Sequence, residues 1–470
     1  MKYLEKEREL IEKTKNQIKS IVDQQLQELI KWDPNREFIE LELEICKRLN
    51  EIGAQLLESL IPQVYGDGYI GSRKDINIDA EYDEDRISYR CESKSRTRPL
   101  KTIFGDIKIN RAMYSEYFSG GYKSFLDEKL DIEKKKICPL IKYWTDLIGT
   151  IAPFDEATDI LNKIRGINVS SKQAQISTEE IGAKITKTHD ENVKDIQLND
   201  KKEVPAVDIN LNLNSNKIVY IETDGCHINT YDDWKECKTF MLFELDKISE
   251  DKHRLKNKFY YSTMKSVGEI KRQLKYHIER YCGNDEVKIV CIGDGAKWIW
   301  NTMRELFPKK TYPSGIIEIL DWYHAVEKIG DIKKEIFGEG DKGDKFYNEC
   351  KANLKKGNIE IIEQILEELR DKQALQERKE FVDEKLKYFM NNKEMMRYEK
   401  FKGQGLCIGS GAIESANKYV VQRRLKLQGM KWNEDNANYM VHLRAEYINK
   451  QMDVHYGINS NPLIDYVAVT

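Results

Sequence analysis

The residues with the clearest chemical potential are two aspartates. Each closes an apolar, β-branched run: Val219-Tyr-Ile-Glu-Thr-Asp224-Gly225 and Lys288-Ile-Val-Cys-Ile-Gly-Asp294-Gly295. Such a run reads as a buried strand, and Asp-Gly marks where that strand is expected to stop. Two such strands side by side would deliver both carboxylates to one sheet edge. Paired carboxylates suit Mg²⁺ or Mn²⁺, which take one or two such ligands and leave room for phosphate oxygens. The implied chemistry is metal-dependent phosphoryl transfer. Two ions roughly 3.5–4 Å apart clamp the attacking and leaving oxygens of an in-line displacement, and holding both calls for a third acid. Glu414 is the candidate third ligand. It follows Gly409-Ser-Gly-Ala, falls in the first turn of an expected helix and precedes a basic stretch. The plainer reading of Glu414 is a helix N-terminal acid favoured by the macrodipole.

Around these acids stand groups with two readings each. In Leu320-Asp321-Trp-Tyr-His324 the acid and imidazole are three residues apart at a strand end. They could orient one another, touch metal or phosphate, or be structural. Trp298, Trp300, Trp322, Tyr323 and Trp432 are either core or platforms for unpaired bases. Glu236 and Lys238 read as a surface pair, and His227 is near Asp224 in sequence only. Gly409-Ser-Gly-Ala lacks the Lys-Ser/Thr of a phosphate-cradling loop, and no serine or cysteine nucleophile motif is present.

Net charge is −3 over 470 residues, so the chain is no polycation, but its charge is clustered. Residues 86–111 carry eight Arg/Lys, among them Arg96, Arg98, Lys101 and Arg111, against Glu92 and Asp106. Residues 417–432 carry Lys418, Arg423, Arg424, Lys426 and Lys431 with no acid. Clusters of this kind neutralise phosphates and give sequence-independent DNA affinity; the alternative is a solvated face. No stretch approaches the ~18 apolar residues of a membrane span. The mixed-charge start lacks a signal-like apolar core, so a cytoplasmic, nucleoid-associated protein with no membrane partner is expected. Nine scattered cysteines without a Cys-x-x-Cys pair imply reduced thiols.

The elements that must position these groups follow from periodicity. Residues 1–85 form a helical N-terminal region broken at Asp33-Pro-Asn, with 64–85 read as loop. Residues 86–195 form a second region. It has short strands turning at Phe104-Gly-Asp, where Ile107 and Ile109 alternate with polar residues. It also has a helix-turn-helix-like pair at 154–164 and 170–176, with Ser170 as N-cap. Residues 200–325 give strands at 217–223, 239–246, 259–263, 286–293 and 315–320, with helices at 267–281 and 297–307. That order makes an α/β domain with one mixed sheet and matches the ribonuclease-H-like fold. Residues 326–404 read as an all-helical insertion, 405–450 as the helix carrying the third acid, and 451–470 as a tail.

Taken together, Asp224-Gly, Gly293-Asp294-Gly-Ala-x-Trp298, Asp321-x-x-His324, the helical block and Gly409-x-Gly-Ala-Ile-Glu414 followed by Arg423-Arg424-x-Lys426 resemble the transposases of bacterial insertion sequences of the ISLre type. These are similar to Mutator-like and hAT-like transposases. The segment Arg98-x-Leu-x-Thr102-x-Phe-Gly-Asp-x-x-x-x-Arg111-x-x-Tyr114 fits the same pattern, and the likeness covers roughly residues 86–450. It implies that Asp224, Asp294 and Glu414 form an acidic triad binding two Mg²⁺ ions, with Asp321 and His324 as an accessory pair. It implies cleavage at element ends and joining of the 3′ hydroxyl to target DNA by a homo-oligomer acting on double-stranded DNA. One departure is Cys226-His227, where the family pattern has an apolar or aromatic pair. The rival readings are a structure-specific nuclease and a non-catalytic, transposase-derived DNA-binding protein.

Overall fold

The computed structural model describes residues 2–31, 33, 35–77, 86–117, 120–132, 136–197, 204–249 and 252–458. The chain divides into two compact units, Met1–Thr178 and Glu179–Thr470. This places the division earlier than the boundary near 195–200 expected from composition.

The first unit opens with helices α1 (Lys2–Leu29) and α2 (Phe38–Tyr65) on either side of the expected break. Strands β1 (Arg73–Asn77), β2 (Arg86–Thr102), β3 (Gly105–Glu116) and β4 (Tyr122–Lys123) form an antiparallel sheet in that order. The stretch read as loop therefore contains the end of α2 and β1, while residues 78–85 lie outside the described residues. Thr102 pairs with Gly105 across a tight turn, and Ile107 and Ile109 are buried as the alternation requires. Helices α3 (Phe125–Lys129), α4 (Pro139–Ile151) and α5 (Phe154–Arg165) follow, and α6 (Ser171–Asn192) begins in the first unit and continues past its end at Thr178. The Ser170 hydroxyl accepts the Gln173 N–H at 3.2 Å, as an N-cap should. At 22 residues α6 is far longer than the expected short second helix.

The second unit carries β5 (Asn210–Leu211), β6 (Ile218–Asn229), β7 (Trp234–Ser249), β8 (Lys252–Thr263), α7 (Val267–Cys282), β9 (Glu286–Gly293), α8 (Lys297–Leu306) and β10 (Ile317–Leu320). The mixed sheet runs β10-β9-β6-β7-β8, with β5 added to β9. β6, β7 and β8 pair antiparallel, whereas β9 pairs parallel with both β6 and β10. Val287, Ile289, Val290, Cys291 and Ile292 are each fully buried, the signature of a strand covered on both faces. The remaining helices are α9 (Trp322–Ile332), α10 (Asp341–Lys356), α11 (Ile359–Asp371), α12 (Gln376–Asn391), α13 (Tyr398–Gly403), α14 (Gly411–Ala416), α15 (Arg423–Leu425) and α16 (Glu434–Ile448). A π-helical stretch, Asn417–Gln422, joins α14 to α15.

One strand end differs from expectation. β6 does not stop at Asp224-Gly225. Its hairpin with β7 keeps pairing from Asp224–Thr239 to Asn229–Trp234, and that backbone ladder overrides the local turn signal. All nine cysteines are free thiols. Among the described residues no helix is long and apolar enough to cross a membrane.

Ile289 sits fully buried in the middle of β9. Ile289→Ala is expected to lower the unfolding free energy by about 2–5 kcal/mol. An unchanged urea midpoint would contradict the central position given to β9.

Candidate active site

The parallel register of β6 and β9 runs from Ile218–Lys288 to Glu222–Ile292. The ladder ends there, two residues short of both aspartates, and leaves them close enough for the Asp294 charge to act on Asp224. Asp224 is half-buried within its strand, and Asp294 is half-buried just past the end of β9. The two Asp-Gly steps have different causes. Gly295 has φ +95°, and a Cβ there would lie 3.1 Å from the Tyr388 ring, so only glycine is comfortable. Gly225 instead gives its N–H to Asp224 Oδ1 at 2.7 Å, and a Cβ there would collide with the Glu236 carboxylate.

Asp224 has a second fixed partner. The Asn417 amide donates to its Oδ2 at 2.6 Å. Burial raises the Asp224 pKa above the ordinary value, opposed by the Gly225 N–H; the Asp294 charge raises it further, and Asn417 and His324 oppose. Asp294 Oδ1 caps the next turn by accepting the Ala296 N–H at 2.9 Å, and Tyr388 donates its hydroxyl to the Asp294 carbonyl at 3.3 Å.

Asp321 and His324 orient one another. Fully buried Asp321 caps α9 by accepting the His324 N–H at 2.9 Å, and the same oxygen meets His324 Nδ1 at 2.7 Å. Its other oxygen accepts the Ser410 N–H at 2.7 Å. Burial opposes ionisation of Asp321, but the His324 side chain and the two N–H donors outweigh it, so its pKa is lowered. The Asp321 hydrogen bond raises the His324 pKa against the cost of burial, with Asp321, Asp294 and Glu327 adding to the rise. The imidazole is half-exposed, so its free edge can face a substrate.

Sequence reasoning missed Glu222. It lies on the same face of β6 as Asp224, is fully buried, and accepts the Ile413 N–H with Oε2 at 2.8 Å. Burial pushes its pKa up to about 8; the Ile413 N–H opposes this, and the Asp321 and Glu414 charges add to it. Burial therefore favours the neutral, protonated form of Glu222. The available signal was an acid inside an otherwise apolar strand, two residues before another acid. Asn417, the partner of Asp224, left no such signal.

Glu414 lies on α14, whose Ile413 rests on Glu222 and whose continuation bears Asn417. Its own side chain is exposed. Among the described residues, no three His, Cys, Asp or Glu side chains stand grouped as a ready metal cluster. The structure thus brings Asp294 within electrostatic reach of Asp224 and ties the Glu414 helix to β6 through Ile413 and Asn417, but it leaves the Glu414 side chain exposed.

The basic residues divide. Lys418, Arg423, Lys426 and Lys431 are exposed. Arg424, expected on the same surface, is 1% exposed and stacks 5.3 Å over the Trp432 ring, because α15 turns it inward. The expected long helix through this stretch ends at Leu425. In the first unit Arg96 is exposed, and Lys101 donates to the Asn168 carbonyl at 3.1 Å. Arg98 and Arg111 both pair with buried Asp127, so these two are internal ties rather than phosphate contacts. Trp300 and Trp432 are core, Tyr323 is 63% exposed, and Glu236 and Lys238 pair at 3.0 Å, but with Lys238 buried rather than on the surface as expected.

The profile of a family described as "Uncharacterised protein family (UPF0236)" matches residues 33–454, and the chain belongs to that family. It is similar to proteins of Caldanaerobacter subterraneus subsp. tengcongensis. One, "UPF0236 protein TTE0610/TTE0881/TTE1053/TTE2432", is 22% identical over 75% of this chain and 68% of its own length. Another, "UPF0236 protein TTE1650/TTE2708", is 22% identical over 75% of this chain and 64% of its own length. The chain spans about two thirds of the length of these relatives.

The Glu222 geometry generates a pH test. A carboxyl whose folded pKa is raised contributes stability fully present below its unfolded value of 4.5 and lost as pH rises through about 8. Glu222→Gln keeps an acceptor for the Ile413 N–H but cannot ionise. Its stability relative to the parent is expected to climb between those pH values and then level off. Parallel stability–pH curves would contradict the burial assigned to Glu222.

Proposed function

We propose that this member of the UPF0236 family is a DNA transposase that cuts phosphodiester bonds at insertion-sequence ends and joins the freed 3′ hydroxyl to target DNA. The observation that carries the proposal is the parallel β6–β9 pairing, whose ladder ends two residues before both Asp224 and Asp294 and so supports a shared site for them. Three further features support it. In chain order, the meander β6-β7-β8 followed by β9 and β10 on the other side of β6 is the strand order of a ribonuclease-H-like core. Helices α9–α13 stand between the last strand and α14, as an insertion before the final glutamate would. The ordered motifs resemble ISLre-type transposases. One relative's name joins eleven designations, which fits one sequence encoded at many places in a genome, as a self-copying element leaves behind.

In this reading Asp224, Asp294 and Glu414 hold two Mg²⁺ or Mn²⁺ ions. The donor set suits them: two carboxylates side by side with open positions for phosphate and water. Glu414 precedes Asn417 by three residues, and neighbours at that spacing share a helix face, so its flexible side chain can turn toward Asp224. When bound, the ions supply charge stabilisation to the attacking and leaving oxygens. Asn417 fixes the Asp224 rotamer, the kind of outer support whose loss costs ~10–100-fold in affinity or activity. The Asp321 carboxylate holds the His324 ring with its free nitrogen outward, where it can hold or give a proton at a phosphate oxygen. Lys418, Arg423, Lys426 and Lys431 form a cationic rim for the DNA backbone, with Arg96 and Lys101 available on the first unit. The helix pair α5–α6 serves end recognition. The enzyme works as a homo-oligomer on the nucleoid, because two ends must be joined together.

A duplex carrying the sequences that flank the gene tests this reading. With Mg²⁺ the protein is expected to nick it at the element end, and with pre-cleaved ends to join them to a second duplex. Cutting without joining would leave the nuclease reading. Asp294→Asn is expected to lose at least ~100-fold in turnover, beyond the cost of an outer partner, while keeping its DNA affinity. Normal cutting by that variant would refute the site.

A further inference from the structure

The sheet face that carries Asp224 also floors a cleft that no part of the proposed reaction uses. Its volume is about 1290 Å³, above the ~300–1,000 Å³ of ordinary small-molecule sites. The floor follows β6 through Ile218, Tyr220 and Glu222, with Phe243 and Leu245 of β7 beside them. The opposite wall comes from the helical block: Lys351 and Lys355 of α10, Lys402 of α13, and the glycine-rich segment after it. Trp322 and Tyr323 line the cleft beside Asp321.

The charge of the two walls differs. On the sheet side Lys217 is held by Asp285 at 2.6 Å, and Lys256 by Asp246 at 2.8 Å, with Glu244 3.8 Å from Lys256. On the helical side Lys351 meets the Tyr347 ring, and among the described residues Lys355 and Lys402 make no ion pair. All three are exposed. The acids that line the cleft are Glu244 and fully buried Glu222. Three lysines without an ion pair among the described residues thus share the cleft with half-buried Trp322 and exposed Tyr323, while the floor rings Tyr220 and Phe243 are themselves buried. That is the pairing used for single-stranded nucleic acid: backbone phosphates on the charged wall, bases on the aromatic side.

We infer that this cleft holds a single strand of DNA and leads it to the paired aspartates. The inference rests on the DNA-processing reading above. Accessible aromatic rings beside lysines select a single strand, whose unpaired bases are free to stack, over a duplex, whose bases are already paired and stacked. Glu222 ends the floor, and Asp224 is the next residue on that face, about 7 Å further at the rise of a strand. Tyr323, 63% exposed in the cleft lining two residues after Asp321, is placed to stack on a base of the bound strand.

The test uses the full chain and a fluorescein-labelled oligothymidine in EDTA, so that no catalysis is needed. Lys351, Lys355 and Lys402 are replaced together by alanine, and a control carries Lys309→Ala, Lys310→Ala and Lys334→Ala, three exposed lysines outside the cleft lining. The cleft variant is expected to bind at least 10-fold more weakly. Its slope of log affinity against log salt should be shallower by about 2, three phosphates at ~0.7 each. The control variant and the affinity of either protein for blunt duplex are expected to stay within twofold. A thiothymidine in the oligonucleotide should photo-crosslink to the peptide containing Trp322 and Tyr323. The inference is overturned if the wild type does not bind the oligonucleotide. It is equally overturned if the cleft variant binds like wild type, or if duplex affinity falls as far as single-strand affinity. Absence of Mg²⁺-dependent cutting by the wild type would overturn the transposase reading and leave this binding result standing.

Discussion

The parallel pairing of β6 with β9 is the constraint on which the site depends. Strand pairing fixes position in steps of one residue, and a slip by one would turn every side chain of β6 to the other face. The apolar content of β9, buried on both sides, penalises any slip. The same register that buries Ile289 and Ile292 therefore ends the β6–β9 ladder just short of Asp224 and Asp294 and holds the two acids near one another. Two like charges repel in a half-buried place, which adds to the effect of burial in raising the Asp224 pKa. The fold overrides that repulsion because the core term is far larger than one carboxylate pair.

A second layer of polar contacts brings the distant third element in. The segment from Cys407 to Asn417 is tied to the sheet through Tyr220, Glu222, Asp224 and Asp321, at 3.4, 2.8, 2.6 and 2.7 Å. Each net contribution is modest, about 0.5–1.5 kcal/mol, but a buried acceptor left without its donor costs more. Such contacts select one seat for α14, where apolar packing of Ile413 and Ala416 alone would tolerate several. The π-helical turn that follows, a local defect frequent at functional sites, turns Asn417 onto Asp224.

Much of this was legible in the residues, and the failures have physical causes. β9 begins and ends where its apolar run does, because nothing outside the run competes. β6 overran its Asp-Gly signal because the β7 partner continued the ladder. Glu222 was hidden because a carboxyl's protonation depends on what buries it, and those neighbours are distant in sequence. The basic clusters misled for the same reason. A count of lysines and arginines cannot see Asp127, which claims Arg98 and Arg111, or Trp432, under which no solvent reaches Arg424. Asp321 and His324 were found as a pair because their contact is local, one turn of helix apart.

The central claim is that three acids from separate parts of the chain serve one pair of cations. The most direct measurement is anomalous diffraction from crystals of the full chain grown with Mn²⁺ and a duplex carrying an element end. The account expects two peaks, both within coordination distance of Asp224 or Asp294, with the Glu414 carboxylate turned in from solvent to complete the set. Peaks elsewhere, or bound ions with Glu414 still pointing outward, would contradict it.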